Sequence, residues 1–122
     1  MTRRNGLYVQ LDVNTPNDPK IIEAGERAEL LYYRGLMFCK ANWHQDGFIT
    51  DGQLVRVAPD FTLLSARVRA LVSTGLWQRV DEDLFGRGAG YQVTAWLDRN
   101  PSRAQIEAKR RADAERKRLK DA

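Results

Sequence analysis

The sequence predicts an α+β domain, mostly helical, with a small antiparallel sheet and a hairpin, and three observations carry that expectation. A long run of apolar residues recurs at three- and four-residue steps in the first third of the chain. Two strand-like segments, Leu76–Val80 and Tyr91–Trp96, flank a glycine-rich separator. The last stretch, residues 101–122, is charged and carries only Ile106 and Leu119 as large apolar side chains.

The elements follow in order. Residues 7–13 (LYVQLDV) alternate well enough for a short strand or extended arm, and residues 14–19 (NTPNDP) are dense in turn formers. Ile21 and Ile22 lead into a long helix over about residues 24–41, with Ala28, Leu31, Tyr32, Phe38 and Cys39 on one stripe. Leu30, Tyr33, Leu36 and Met37 form a second stripe, so the helix is expected to be central and buried. Gly35 in its middle costs about 1 kcal/mol relative to alanine, which points to another element packing closely there. Residues 47–50 (GFIT) are short enough only for a strand, and Thr50 with Gln53 has the form of a capping box that opens a short helix over residues 51–57, with Leu54 and Val57 inward. Pro59-Asp60 breaks it, and Asp60 is placed to cap a third helix over about residues 61–74. Leu64, Val68, Leu71 and Val72 would face inward there, leaving Thr62, Ala66, Arg67, Arg69 and Ser73 toward solvent. Gly75 supplies a left-handed stop. The separator DEDLFGRGAG reads as a solvated hairpin loop between the two strands. Ser102 with Gln105 forms a second capping box, and Glu107 with Arg111 and Asp113 with Lys117 are favourable four-residue pairs along a solvated tail helix.

At 122 residues the chain is expected to be one domain over residues 1–100 followed by a basic, charged helix or tail over residues 101–122. A hydrophobic fraction of 43% and a charged fraction of 30% argue against wholesale disorder. No apolar run approaches the roughly 20 residues that a bilayer requires. The start, MTRRNGLYVQLDV, lacks the apolar stretch of a secretory signal, so a cytoplasmic location is expected. Lysine plus arginine balance aspartate plus glutamate over residues 1–100, at 12 each, so the formal charge of +4 belongs to the tail. A basic end is compatible with a nucleic-acid partner but moves the odds only slightly.

Long helix, short strand, short helix, helix, strand, glycine-rich loop and strand is the order of a winged helix-turn-helix. In that architecture the third helix lies in the major groove and the hairpin, the wing, reaches a neighbouring backbone or minor groove. The sequence also resembles a winged-helix family of actinobacterial phages and prophages, described as replication-initiation or replisome-organiser-like proteins. The resemblance lies in Asp18-Pro19-Lys20-Ile21, Glu29-Leu30-Leu31-Tyr32, Asp46-Gly47-Phe48-Ile49, Leu71-Val72 with Gly75-Leu76-Trp77, and Trp96-Leu97 with Asn100-Pro101-Ser102-Arg103. It implies a DNA-binding role in replication initiation or transcriptional control in the cytoplasm of a host bacterium, with double-stranded DNA and a replication or transcription protein as partners.

The candidate DNA contacts are basic or hydroxylic. Arg67 and Arg69 on the third helix could read guanine bidentately or hold phosphate, against the plainer alternative of a solvated face. Thr62 and Ser65 could donate to phosphates or cap locally. Arg87 between Gly86 and Gly88 would sit at the wing tip, although Asp81, Glu82 and Asp83 nearby repel phosphate. Arg56 is a candidate phosphate clamp, and Arg79 either helps it or takes a cross-strand partner. Lys109, Arg110, Arg111, Arg116, Lys117 and Arg118 could track a DNA backbone, with four acids interrupting the run. The tail helix could instead pair with a second copy, though it has no apolar heptad stripe.

Catalysis finds little support. Cys39 reads as a small buried hydrophobe, and Cys39 with His44 falls short of a zinc ligand set, so no metal and no cofactor are expected. Gly86-Arg87-Gly88-Ala89-Gly90 lacks the lysine and hydroxyl of a P-loop. The rival to DNA binding is an adaptor that uses the same scaffold to dock a host or phage protein.

Overall fold

Helix formation begins at Asp18, whose carboxylate accepts the Lys20 amide at 2.8 Å while Pro19 fills the first helical position, where its missing amide costs nothing. The computed structural model describes residues 8–82, 86 and 88–122. Helix α1 is Pro19–Ala24 and helix α2 is Glu26–Ala41. The helix expected over about residues 24–41 is α2, and the residues expected only to lead into it form a helix of their own, because Gly25 lies at φ +92° and turns the chain between the two.

Residues 8–13 form no strand. Val9 packs on the core, Val9 and Leu11 line a small cavity with Tyr32, Leu36 and Trp96, and the chain passes into a 3-10 turn at Thr15–Asn17. α2 is central, as expected, with Ala28, Leu31, Gly35, Leu36 and Cys39 buried. Its second apolar stripe behaves differently: Leu36 is buried, whereas Leu30 and Met37 are 49% and 60% exposed.

Strand β1 (Phe48–Thr50) runs directly into helix α3 (Asp51–Val57). The Thr50 hydroxyl accepts the Gln53 amide, and the Gln53 side chain accepts the Thr50 amide, each at 3.1 Å. Helix α4 is Leu64–Ser73, shorter than expected and not capped by Asp60. Leu63 occupies the cap position in the left-handed region at φ 54°, and its carbonyl accepts the Arg67 amide at 3.1 Å. Residues 58–63 stay outside the helix, and the Phe61 ring lies within 5.1 and 4.3 Å of the Arg34 and Arg67 guanidinium carbons. Val68 and Leu71 of α4 are buried, Leu64 and Val72 partly so, and Gly75 at φ +83° ends the turn with its amide on the Val72 carbonyl at 3.0 Å.

Strands β2 (Trp77–Val80) and β3 (Gly90–Val93) pair antiparallel, and β3 also pairs with β1, giving the sheet order β1-β3-β2. The register sets Ile49 opposite Tyr91 and Arg79 opposite Tyr91. A β-carbon at Gly90 would stand 2.1 Å from the Ile49 carbonyl oxygen, so only glycine fits at the centre of the sheet. The second hairpin strand ends at Val93, three residues earlier than expected. Trp96 then opens the short helix α5 (Trp96–Arg99) and buries its indole.

Helix α6 (Arg103–Asp121) starts at the Ser102–Gln105 capping box and buries no residue. Its first half leans on a 3-10 turn at Trp43–Gln45. The Arg103 amide donates to the Asp46 carboxylate, and the Arg110 guanidinium lies 4.7 Å from the Trp43 ring centroid. The four-residue pairs differ from those expected: Glu107 pairs with Arg103, Asp113 with Arg116 and Glu115 with Arg118. No helix among the described residues is long and apolar enough to cross a membrane.

Candidate nucleic-acid interface

The inward face of α4 is fixed by Val68 and Leu71, and the remaining positions of its 3.6-residue period distribute the candidate contacts. Ser65 and Arg69 are exposed, and Arg69 has no ion pair or hydrogen-bonded acceptor among the described residues. Thr62 is exposed in the turn before the helix. Arg56, in the last turn of α3, is likewise exposed and unpaired among the described residues.

Arg67 departs from the expected outward position. Its Nε donates to the Thr62 carbonyl at 2.9 Å, one Nη reaches the Arg27 carbonyl at 3.4 Å, and its guanidinium carbon lies 4.3 Å from the Phe61 ring centroid. The side chain therefore closes the edge between α4 and α2, half-buried, where periodicity alone had set it toward solvent. Arg34 of α2 lies over the same ring at 5.1 Å. Arg34 did not stand out in the sequence, because its neighbour Phe61 is distant along the chain.

Arg79 resolves toward its alternative role. It reaches Asp51 in a two-pronged pair at 2.6 and 3.1 Å, takes Asp81 at 3.0 Å, and covers the ring of its cross-strand partner Tyr91 at 4.9 Å. Hydrogen bonds to Asp51 and then Asp81 hold its pKa above the ordinary guanidinium value. Together with the Asp51 amide, which donates to the Ala89 carbonyl at 3.0 Å, this side chain ties the base of the hairpin to the start of α3. Two carboxylates already satisfy its charge.

Arg87 and Asp83 lie outside the described residues. On α6, Arg110 is stacked on Trp43, while Arg116 and Arg118 face intrahelical acids. Lys109, Arg111 and Lys117 are exposed without ion pairs among the described residues.

Cys39 is buried between these elements, and burial pushes its thiol up to about 12, which leaves it protonated and poorly nucleophilic near neutral pH. Comparison of the chain with protein-family models, with curated proteins and with solved structures finds no match.

Proposed function

We propose that this protein is a winged-helix binder of double-stranded DNA, acting in phage-type replication initiation or gene control. The observation that carries the reading is the order α2-β1-α3-α4-β2-hairpin-β3 with β3 at the centre of the sheet, leaving Ser65 and Arg69 exposed on α4. In this reading Ser65 and Arg69 face base edges, with Thr62 at the helix start, and Arg56 holds a phosphate. Arg79 acts indirectly by fixing the hairpin on α3. Lys109, Arg111 and Lys117 add salt-sensitive affinity through counterion release.

Fluorescence anisotropy of labelled duplexes across a salt series tests this, using the intact chain, the Arg56→Ala/Arg69→Ala double variant and a chain ending at Asn100. Contact with about four to five phosphates gives a log–log salt slope of roughly −4. Weakening by the double variant with the fold intact supports the α4 face, whereas loss only on removing α6 assigns binding to a basic arm. No binding by the intact chain at low salt overturns the reading.

One observation favours the adaptor alternative. Leu30 and Met37, seven residues apart on α2, are both exposed apolar side chains of the kind a protein partner covers.

A further inference from the structure

We propose that the edge where α4 meets α2 is a phosphate-binding site, formed by Arg34 and Arg67 around the Phe61 ring. Two guanidinium groups from different helices share that ring, at 5.1 and 4.3 Å from its centroid. Neither has a carboxylate partner among the described residues, and Asp60, next to Phe61, makes no ion pair. Arg79, which covers the Tyr91 ring in the hairpin base, has its charge met by Asp51 and Asp81.

Fixing helix geometry accounts for only part of this. Arg67 serves a structural purpose, since it donates to the Thr62 and Arg27 carbonyls and so closes the turn onto α4. Those bonds use two of its five N–H donors. Arg34 is exposed and donates to no acceptor among the described residues, so the Phe61 ring is the one contact shown for its guanidinium. Two like charges held on one ring repel, and the ring quadrupole offsets this weakly. A phosphate oxygen set resolves the arrangement: it accepts the unused donors of both arginines in the geometry that guanidinium recognises best.

The ligand chemistry is a phosphate group, from a nucleic-acid backbone or from a free phosphate. Only the first source rests on the DNA reading above. In that case the edge clamps a phosphate beside the helix that faces the groove, contributing affinity and register without sequence preference.

The test uses the full chain in two arms. In the first, inorganic pyrophosphate is titrated while the Arg Nε–Hε signals are followed by NMR, for wild type, Arg34→Gln and, as a control on the α4 face, Arg69→Gln. In the second, the salt slope for a labelled duplex is measured for the same three proteins. Arg34 is exposed, so its variant should fold, and the amide spectrum checks this. The expected result is a saturable shift of the Arg34 and Arg67 signals that survives Arg69→Gln, with the Arg67 shift lost in Arg34→Gln. The duplex slope should fall in magnitude by about 0.9 in Arg34→Gln.

Saturation by pyrophosphate with an unchanged duplex slope, or with no duplex binding, supports the site and assigns it to free phosphate. A changed slope without pyrophosphate saturation supports the site and assigns it to the nucleic-acid backbone. If neither probe moves the Arg34 and Arg67 signals and Arg34→Gln keeps the wild-type slope, the proposal is overturned.

Discussion

The two longest helices of this protein, α2 with 16 residues and α6 with 19, are held in opposite ways. α2 begins at Gly25 with no side-chain cap, yet it buries five residues and packs against α1, α3, α4 and the sheet. α6 begins at a complete capping box, carries three intrahelical ion pairs and buries nothing. Local signals thus set where a helix starts, while burial sets how much the fold depends on it. The exposed intrahelical ion pairs of α6 add little on this account, since such pairs contribute a few tenths of a kcal/mol each.

The comparison breaks most sharply on paired deletions. Leu31 on α2 is fully buried, so Leu31→Ala should cost about 2–5 kcal/mol, read as a lower urea midpoint. Leu119→Ala on α6, at 61% exposure, should change stability by no more than about 0.5 kcal/mol. Comparable losses would mean that α6 belongs to the cooperative core after all.

Gly35 sharpens the same contrast from the other direction. Alanine is the better helix former by about 1 kcal/mol. Here, however, its β-carbon would stand 2.8 Å from Cζ2 of the buried Trp77 ring. Gly35→Ala should therefore destabilise by about 1–3 kcal/mol in denaturant titration, the crowding outweighing the propensity gain. A stabilised variant would show that the Trp77 ring yields.

Alkaline pH should act through α2 as well. Burial raises the Cys39 thiol from 9.0 to about 12, so the unfolded chain ionises first as pH rises. Its contribution is fully present below pH 9 and is lost between 9 and 12, at about 1.4 kcal/mol per pH unit. Cys39→Ser should flatten that limb of a stability–pH curve. A limb that is unchanged would assign the alkaline loss to other groups, such as Tyr33, whose phenol burial and the Glu29 contact also raise to about 12.

What was legible in the sequence divides along the same line. Both capping boxes, the Gly75 stop and the close approach at Gly35 could be read directly, because each is a contact between a residue and its near neighbours or the consequence of lacking a side chain. The break at Gly25 was hidden by an apolar pattern that runs through it, and the left-handed Leu63 was hidden because leucine rarely takes that conformation. The candidate interface was legible as a set of cations and not as a geometry. Arg67 and Arg79 are distinguished from Arg69 and Arg56 by partners that lie elsewhere in the chain: Arg27 and Phe61 in one case, Asp51 in the other. Periodicity assigns a face, whereas a long side chain can fold back across it.

The smallest effect tests what the α6 cap does. Ser102 accepts the Gln105 amide at 3.1 Å and Gln105 accepts the Ser102 amide at 2.8 Å, so Ser102→Ala removes one arm of a reciprocal pair. Loss of the cap should cost the helix about 1 kcal/mol. Because α6 buries no residue, that cost should appear as fraying, read as reduced helical circular dichroism in the full chain at an unchanged urea midpoint for the body. The fraying should start at the capped end, and the Arg103 amide on Asp46 and Arg110 on Trp43 should limit how far it spreads. An unchanged circular dichroism signal would show that these contacts, and not the cap, hold the start of α6. A midpoint shift would instead tie α6 to the core and remove the distinction between the two helices.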